Sequence, residues 1–193
     1  SVILKSRQLG ISTLSAGYAL WFMLFKQDFN ILVLATTQDV AKNLVTKVRV
    51  MHENLPIWLK GKSIEDNKLS LRFKNGSQIK AVSSTGTSGR SEALSLLIID
   101  EAAFIRNIEE IWIASQATLS TGGGAIVLST PNGVGGFFHK MWTDSESNES
   151  GFGFNTIKLP WNLHPERDQL WRDRQTTLQG DPRKAAQECD CDF

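Results

Sequence analysis

A polar segment near the start of the chain, from Lys5 to Thr13, has features of a phosphate-binding loop. Such loops follow the pattern G-x-x-x-x-G-K-[ST], in which backbone N–H groups surround phosphates, the lysine neutralises them and the hydroxyl holds Mg²⁺. Gly10 and Ser12 stand at the second-glycine and hydroxyl positions, whereas Ile11 replaces the lysine and Lys5 replaces the first glycine. Because such a loop folds back around its anion, a lysine at either end can reach the phosphates. A plain strand–turn–helix junction with a surface lysine fits the same residues.

Two adjacent carboxylates, Asp100 and Glu101, follow an apolar run at residues 94–99. In a nucleotide-hydrolysing site, an aspartate at the end of a buried strand holds Mg²⁺ and the next glutamate polarises the attacking water. A strand that ends in a solvated acidic turn would look the same in isolation. The position of this pair downstream of the polar loop favours the catalytic interpretation.

A third polar turn, Ser129-Thr130, follows the apolar residues 126–128 and precedes Pro131-Asn132-Gly133. In helicase-like and packaging ATPases, a turn of this kind senses the γ-phosphate and couples hydrolysis to movement. Taken alone, it is explained better as an ordinary exit from a strand. All three motifs are predicted at the C-terminal ends of strands, which is where open α/β sheets bind their ligands.

The elements that must position these motifs follow from hydrophobic periodicity. Strands are predicted at residues 2–4, 30–35, 69–73, 78–82, 94–99, 125–128 and 154–159, and helices at 13–26, 37–54, 108–119, 137–145 and 165–178. Asn75-Gly76 predicts a hairpin turn between the third and fourth of these strands. Strands that alternate with helices predict an α/β fold with a mostly parallel, doubly wound sheet.

The composition is that of an ordinary globular protein. The 193 residues are 41% hydrophobic and 21% charged, with a net charge of +1, so bulk electrostatics indicate neither a nucleic-acid nor a membrane surface. The longest apolar run is too short to cross a bilayer. Cys189 and Cys191 lie too close together for an ordinary disulfide and lack the spacing of a zinc site, so we interpret them as incidental thiols of a reducing compartment.

Three strings together carry a specific resemblance: Lys5-Ser6-Arg7-Gln8-Leu9-Gly10, then LLIIDEAAF, then LSTPNG. In this order they resemble the ATPase domain of the large terminase subunits of tailed bacteriophages, over nearly the whole chain. The string S-R-Q-L-G is more diagnostic than a generic phosphate-binding loop. Some terminases carry the loop lysine at its start, which is similar to the combination of Lys5 with Ile11.

The resemblance implies an ASCE-type P-loop NTPase fold, with a mostly parallel central sheet flanked by helices and a β-hairpin insertion. Residues 1–193 would form a single ATPase domain. We expect this sequence to be a fragment that lacks an N-terminal adenine-recognition segment and a downstream nuclease domain.

The resemblance also implies a role for each motif. Ser12 and Asp100 would hold Mg²⁺, and Glu101 would be the catalytic carboxylate. Arg7 in cis, or Arg90 in trans from a neighbouring subunit, would be the arginine finger, and we favour Arg90 for the trans role. The residues expected to contact ATP are Lys5, Ser6, Arg7, Gln8, Leu9, Gly10, Ile11, Ser12, Thr13 and the coupling pair Ser129 and Thr130.

The expected function is Mg²⁺-dependent ATP hydrolysis that drives double-stranded DNA into a viral procapsid. By resemblance, the partners are the portal protein, the small terminase subunit and further copies of the chain in a ring, with no membrane. The place of action would be the portal vertex of the procapsid in the host cytoplasm. Two alternatives remain open: a helicase-like DNA-dependent ATPase, and a degenerate P-loop subunit with a structural role, for which Ile11 is the main support.

Overall fold

The computed structural model describes residues 1–83, 93–119, 122–147 and 153–193. The strands are β1 (Val2–Lys5), β2 (Asn30–Ala35), β3 (Ser63–Asp66), β4 (Ser70–Phe73), β5 (Gln78–Ser83), β6 (Leu96–Asp100), β7 (Gly124–Ser129) and β8 (Thr156–Leu159). The helices are α1 (Ile11–Phe25), α2 (Gln38–Glu53), α3 (Ile108–Leu119), α4 (Phe137–Ser147), α5 (Gln169–Gln179) and α6 (Pro182–Ala185). The strands form one eight-stranded mixed sheet in the order β3-β4-β5-β2-β6-β7-β1-β8.

The chain divides into two compact units. The first consists of Ser1–Leu9, Glu101–Phe104 and Val127–Phe193, and the second of Gly10–Asp100 and Ile105–Ile126. The division falls between Leu9 and Gly10 and again between Asp100 and Glu101, so two of the three candidate motifs contribute residues to both units.

The second unit is built around β2, which pairs in parallel with β5 and with β6. Val33, Ile98 and Ile99 are fully buried, as expected for strands that are covered on both faces. Helix α2 begins after Thr37, whose side chain accepts a hydrogen bond from the Val40 N–H and so satisfies one of the free donors of the first turn. Its apolar face packs on β2 and β5 and against α1.

Strands β4 and β5 form an antiparallel pair in this unit, joined through Asn75 and Gly76. Gly76 has a φ of +86°, a left-handed conformation that side chains rarely adopt. The Asn75 side chain donates to the backbone oxygens of Met23 and Lys26 and thereby ties the turn to the end of α1. The pair belongs to the main sheet because β5 also pairs with β2. Its status as an insertion stays a prediction.

The first unit has β1 at its centre, in parallel between β7 and β8. Phe138 and Met141 of α4 are buried, and the helix packs against β1 and β8. After α5 and α6 the chain makes a π-helical turn, Ala186–Asp190, and ends close to β1. The Cys191 thiol there donates a hydrogen bond to the Leu159 backbone oxygen at 3.4 Å.

Most of the predicted elements are present, with ends that differ by a few residues. The sequence analysis missed β3, a short exposed strand with no apolar alternation, and the helical segments after α5. The expectation of one ATPase domain stays a prediction. Both cysteines are free and buried, and no helix in the described part of the chain is long and apolar enough to cross a membrane.

Candidate nucleotide-binding site

The first unit brings the start of the polar loop beside the Ser129-Thr130 turn. In the β1–β7 ladder Leu4 lies opposite Ser129, and the strands are parallel, so Lys5 and Thr130 leave the sheet at the same edge. The Ser6 N–H donates to the Leu159 backbone oxygen at 2.8 Å, which continues the pairing with β8 into the loop. Ser129 and Thr130 are buried, whereas Lys5 is half-buried. Two of the predicted motifs are therefore adjacent.

Arg7 is attached to the C-terminal segment of the same unit. Its N–H donates to the Glu188 backbone oxygen at 3.0 Å, and its Nε lies 2.9 Å from the Glu188 Oε2. The Glu188 Oε2 makes no hydrogen bond with any residue that the structure describes, so its contact with the Arg7 Nε is an ion pair. The Arg7 side chain is 72% exposed, whereas that of Glu188 is 10% exposed. The predicted phosphate ligand thus has a carboxylate partner within its own unit.

Arg167 reaches the same loop from the turn before α5. Its Nη1 donates to the Arg7 backbone oxygen at 3.0 Å and its Nη2 to the Gln8 backbone oxygen at 3.3 Å. A longer contact of 3.4 Å joins Nη1 to the Ser6 hydroxyl. Burial lowers the pKa of Arg167, although an arginine remains protonated at physiological pH. The sequence analysis did not identify this residue, because no local pattern marks it.

Three residues of the polar loop and the carboxylate motif have left-handed backbone conformations. Gln8 has a φ of 57°, Glu101 a φ of 56° and Gly10 a φ of 76°. Non-glycine residues adopt this region uncommonly, and such conformations cluster at functional sites. At Glu101 the sharp change of direction ends β6 and begins a 3₁₀ turn at Ala102–Phe104.

The turn after Glu101 is hydrogen-bonded to the end of β7 and to the segment that follows it, within the first unit. The Ala103 N–H donates to the Ser129 hydroxyl at 3.1 Å, and the Asn132 side chain donates to the Ala103 backbone oxygen at 3.0 Å. The turn after Glu101 is therefore hydrogen-bonded both to the end of β7 and to the residues that follow it.

In the second unit the polar loop continues into α1. Gly10 is the N-cap of this helix, with no side-chain cap, and its backbone oxygen accepts from the Thr13 and Leu14 N–H groups. The first turn of α1 contains no acidic residue. The exposed N–H groups and the helix dipole give this terminus a positive potential, which suits a phosphate.

Ser12 and Asp100 meet in the second unit. The Ser12 hydroxyl donates a 2.6 Å hydrogen bond to the Asp100 Oδ2. Asp100 is buried at the end of β6, where five consecutive residues are buried. A hydroxyl and a carboxylate at this distance are the oxygen ligands that Mg²⁺ prefers, so these residues fit the predicted metal site.

A lysine from α2 also reaches the start of α1. The Lys47 Nζ donates to the Thr13 hydroxyl at 3.0 Å, which places a cationic group beside this helix terminus. The sequence analysis did not single out Lys47 because it lies in a regular amphipathic helix. Leu9 and Ile11 are half-buried, and the predicted finger Arg90 lies outside the described residues.

Comparison with known proteins identifies the family. Residues 2–190 match the family described as terminase large subunit, T4likevirus-type, N-terminal. The chain belongs to this terminase family. A probable terminase large subunit, gp28 of Escherichia phage Mu, is 28% identical over 152 residues, which are 69% of this chain and 27% of the Mu protein. The terminase chain thus spans about a quarter of that relative's length.

Solved terminase structures share the fold. The large terminase ATPase domain of Thermus phage P74-26 has a TM-score of 0.79 and 23% identity, covering 100% of this chain and 87% of that one. The large terminase of a thermophilic bacteriophage in complex with ADP has a TM-score of 0.66 and 15% identity, covering 91% and 44% of the two chains. The predicted α/β fold and the resemblance to large terminases are confirmed.

Proposed function

We propose that this terminase chain binds Mg²⁺–ATP and hydrolyses it to drive double-stranded DNA into a viral procapsid. The observation that carries the proposal is the 2.6 Å hydrogen bond between the Ser12 hydroxyl and Asp100. Two residues that are 88 positions apart in sequence, each predicted separately as a metal ligand, meet in one unit of the structure. A degenerate loop would have no chemical need for this pairing.

Nucleotide binding would use the loop from Lys5 to Thr13. Lys5 and Arg7 would neutralise phosphate charge in place of the lysine that Ile11 replaces, and the N–H groups at the start of α1 would donate to phosphate oxygens. Support comes from the uncapped terminus of α1 and from the fold shared with a large terminase that was solved with ADP.

Ser12 and Asp100 would hold the Mg²⁺ ion. A bound Mg²⁺ neutralises charge on the phosphate oxygens during phosphoryl transfer. The protein's own part is to supply oxygen ligands from a helix terminus and a buried strand end, both of which are held by secondary structure. Rigid elements of this kind maintain a ligand geometry more closely than loops do.

Glu101 would accept a proton from the attacking water, and an arginine would stabilise the charge that develops on the transferred phosphoryl group. Arg7 in cis and Arg90 in trans remain the two candidates for this arginine. Release of phosphate would change the position of the Glu101 turn. The hydrogen bond between Ala103 and Ser129 would pass that change to the end of β7.

The remaining parts of the proposal rest on membership of the terminase family. The partners are double-stranded DNA, the portal protein, the small terminase subunit and further copies of the chain in a ring. The place of action is the portal vertex of the procapsid in the host cytoplasm. Support comes from the family match over residues 2–190.

The test combines nucleotide binding with turnover. We expect a fluorescent ATP analogue to bind only when Mg²⁺ is present, and we expect hydrolysis to be stimulated by blunt double-stranded DNA. Nucleotide binding without hydrolysis, or no binding at all, would favour the degenerate structural subunit. Unwinding of a tailed duplex by the protein would favour the helicase-like alternative.

A further inference from the structure

The Arg167 side chain contacts three consecutive residues of the polar loop within the first unit. The guanidinium donates to the backbone oxygens of Arg7 and Gln8 at 3.0 and 3.3 Å and contacts the Ser6 hydroxyl at 3.4 Å. The planar group presents its donors in a fixed fork, so two such bonds determine the orientation of both peptide groups.

The orientation of these peptides determines where their N–H groups point. In a trans peptide the C=O and N–H bonds point in opposite directions. The Arg7 and Gln8 oxygens face Arg167, so the N–H groups of Gln8 and Leu9 point away from it. The left-handed φ of 57° at Gln8 is typical of backbone segments whose successive N–H groups point to one side and bind an anion, an arrangement called a nest.

Local sequence holds Arg167 in this position. The turn begins with a 3₁₀ segment, Trp161–Leu163, and the Arg167 N–H donates to the His164 backbone oxygen at 3.1 Å. Asp168 then caps α5 by accepting from the Trp171 N–H at 2.8 Å. One turn into α5, the Trp171 ring lies under the guanidinium.

The Trp171 ring also restrains the Arg167 guanidinium, because it packs against the face of that group. The Arg167 Cζ lies 4.4 Å from the Trp171 ring centroid, and Trp171 stacks on Trp161 with 6.0 Å between ring centroids. A cation over an indole face at this distance is attracted by the ring quadrupole. The arginine is thus held between an aromatic surface and the loop carbonyls.

We propose that Arg167 is a positioning residue that holds the Ser6–Gln8 part of the loop in its phosphate-binding conformation. The identity of the ligand, nucleotide phosphate, rests on the proposed function. The effect of Arg167 on the conformation of the loop does not depend on it. Arg167 acts through the backbone of Arg7 and Gln8 and does not touch the phosphates. Its loss should therefore weaken binding more than it slows chemistry.

The experiment measures loop order and catalysis separately. Amide hydrogen exchange of the peptide that covers residues 5–10 reports the conformation of the loop without nucleotide. Steady-state hydrolysis with Mg²⁺–ATP gives KM and kcat. The variants are Arg167→Ala and Arg167→Lys, and Arg174→Ala is the matched control because that side chain is exposed on α5.

We expect Arg167→Ala to speed exchange in residues 5–10 and to raise KM roughly tenfold or more, with kcat within about twofold, since two charge-assisted hydrogen bonds are lost. Arg167→Lys should recover only part of this effect because an ammonium cannot bind both oxygens in the fork geometry. Arg174→Ala should match the wild type in both measurements.

Unchanged exchange in residues 5–10, or an unchanged KM with a lower kcat, would overturn the positioning role. A lysine variant indistinguishable from the wild type would do the same. If the wild type binds no nucleotide, the proposed function fails. In that case faster exchange in Arg167→Ala still supports the positioning role, and unchanged exchange still overturns it.

Discussion

The Ser12 hydroxyl donates a 2.6 Å hydrogen bond to the Asp100 Oδ2, which joins the first turn of α1 to the end of the buried strand β6. Neither residue depends on the loop lysine that Ile11 replaces. The hydroxyl–carboxylate pair of the proposed Mg²⁺ site is therefore present, although the loop departs from the consensus sequence.

Substitution of either Ser12 or Asp100 should weaken Mg²⁺-dependent nucleotide binding. We expect Ser12→Ala and Asp100→Asn each to weaken the affinity for Mg²⁺–ATP by roughly tenfold or more, because the first removes an oxygen ligand and the second removes the carboxylate charge. The measurement is titration of a fluorescent ATP analogue at several Mg²⁺ concentrations. Ser115→Ala, which removes another buried serine hydroxyl, is the control and should leave the affinity unchanged. Equal affinities in Ser12→Ala and the wild type would contradict the metal assignment.

Neutralising Glu188 should release Arg7 for nucleotide. The isosteric change Glu188→Gln removes the charge that holds the Arg7 guanidinium at 2.9 Å. Because the Arg7 side chain is 72% exposed, the pair is worth at most about 1 kcal/mol, and we expect ATP affinity to rise by no more than about fivefold. Weaker binding in the Glu188→Gln variant, measured by the same titration, would show that Glu188 supports the loop instead of competing for Arg7.

The left-handed conformation at Gly10 should make this position intolerant of a side chain. A Cβ at Gly10 would meet no atom within 4 Å, so the cost of Gly10→Ala comes from the φ of +76° alone. We expect a loss of about 1–2 kcal/mol in the free energy of unfolding, measured with urea. The control is Gly136→Ala, where the space is also open and φ is not left-handed. If both variants have the stability of the wild type, Gly10 does not have a left-handed conformation at the start of α1.

Alkaline pH should destabilise the protein through Cys191. Burial raises the pKa of this thiol to about 12, from 9.0 in an exposed cysteine. Between these pH values the unfolded chain releases the proton while the folded chain retains it, so stability falls as pH rises from 9 towards 12. The slope from this thiol is at most about 1.4 kcal/mol per pH unit. Cys191→Ser should flatten the dependence, and the same slope in that variant and the wild type would contradict the assignment.

The sequence was sufficient for the fold because the informative signals are local. The apolar runs of β2 and β6, the turn residues Asn75-Gly76 and the helical spacing of α2 each determine an element without reference to the rest of the chain. Strand β3 was missed because its four residues are all exposed and have no alternating pattern. The segment after α5 was missed because its end contacts residues far away in sequence, such as Leu4 and Leu159, whose backbone oxygens accept from the Cys191 thiol.

The site was predictable only in part, for a related reason. Ser12 and Asp100 lie in motifs whose spacing has a chemical explanation. Arg167 and Glu188 act on the loop from about 160 and 180 residues away, through a guanidinium fork and an ion pair that no local pattern encodes. Lys47 is similar, since its contact with Thr13 depends on how α2 packs against α1.

The most direct test of the central claim is single-turnover hydrolysis of Mg²⁺–ATP by the wild type, Lys5→Ala, Glu101→Gln and Ile11→Ala. We expect Lys5→Ala to lose binding, Glu101→Gln to bind ATP without cleaving it, and Ile11→Ala to remain active. That pattern would assign phosphate binding to the displaced lysine and chemistry to the carboxylate. An inactive wild type, or a Lys5→Ala variant with full activity, would contradict the account.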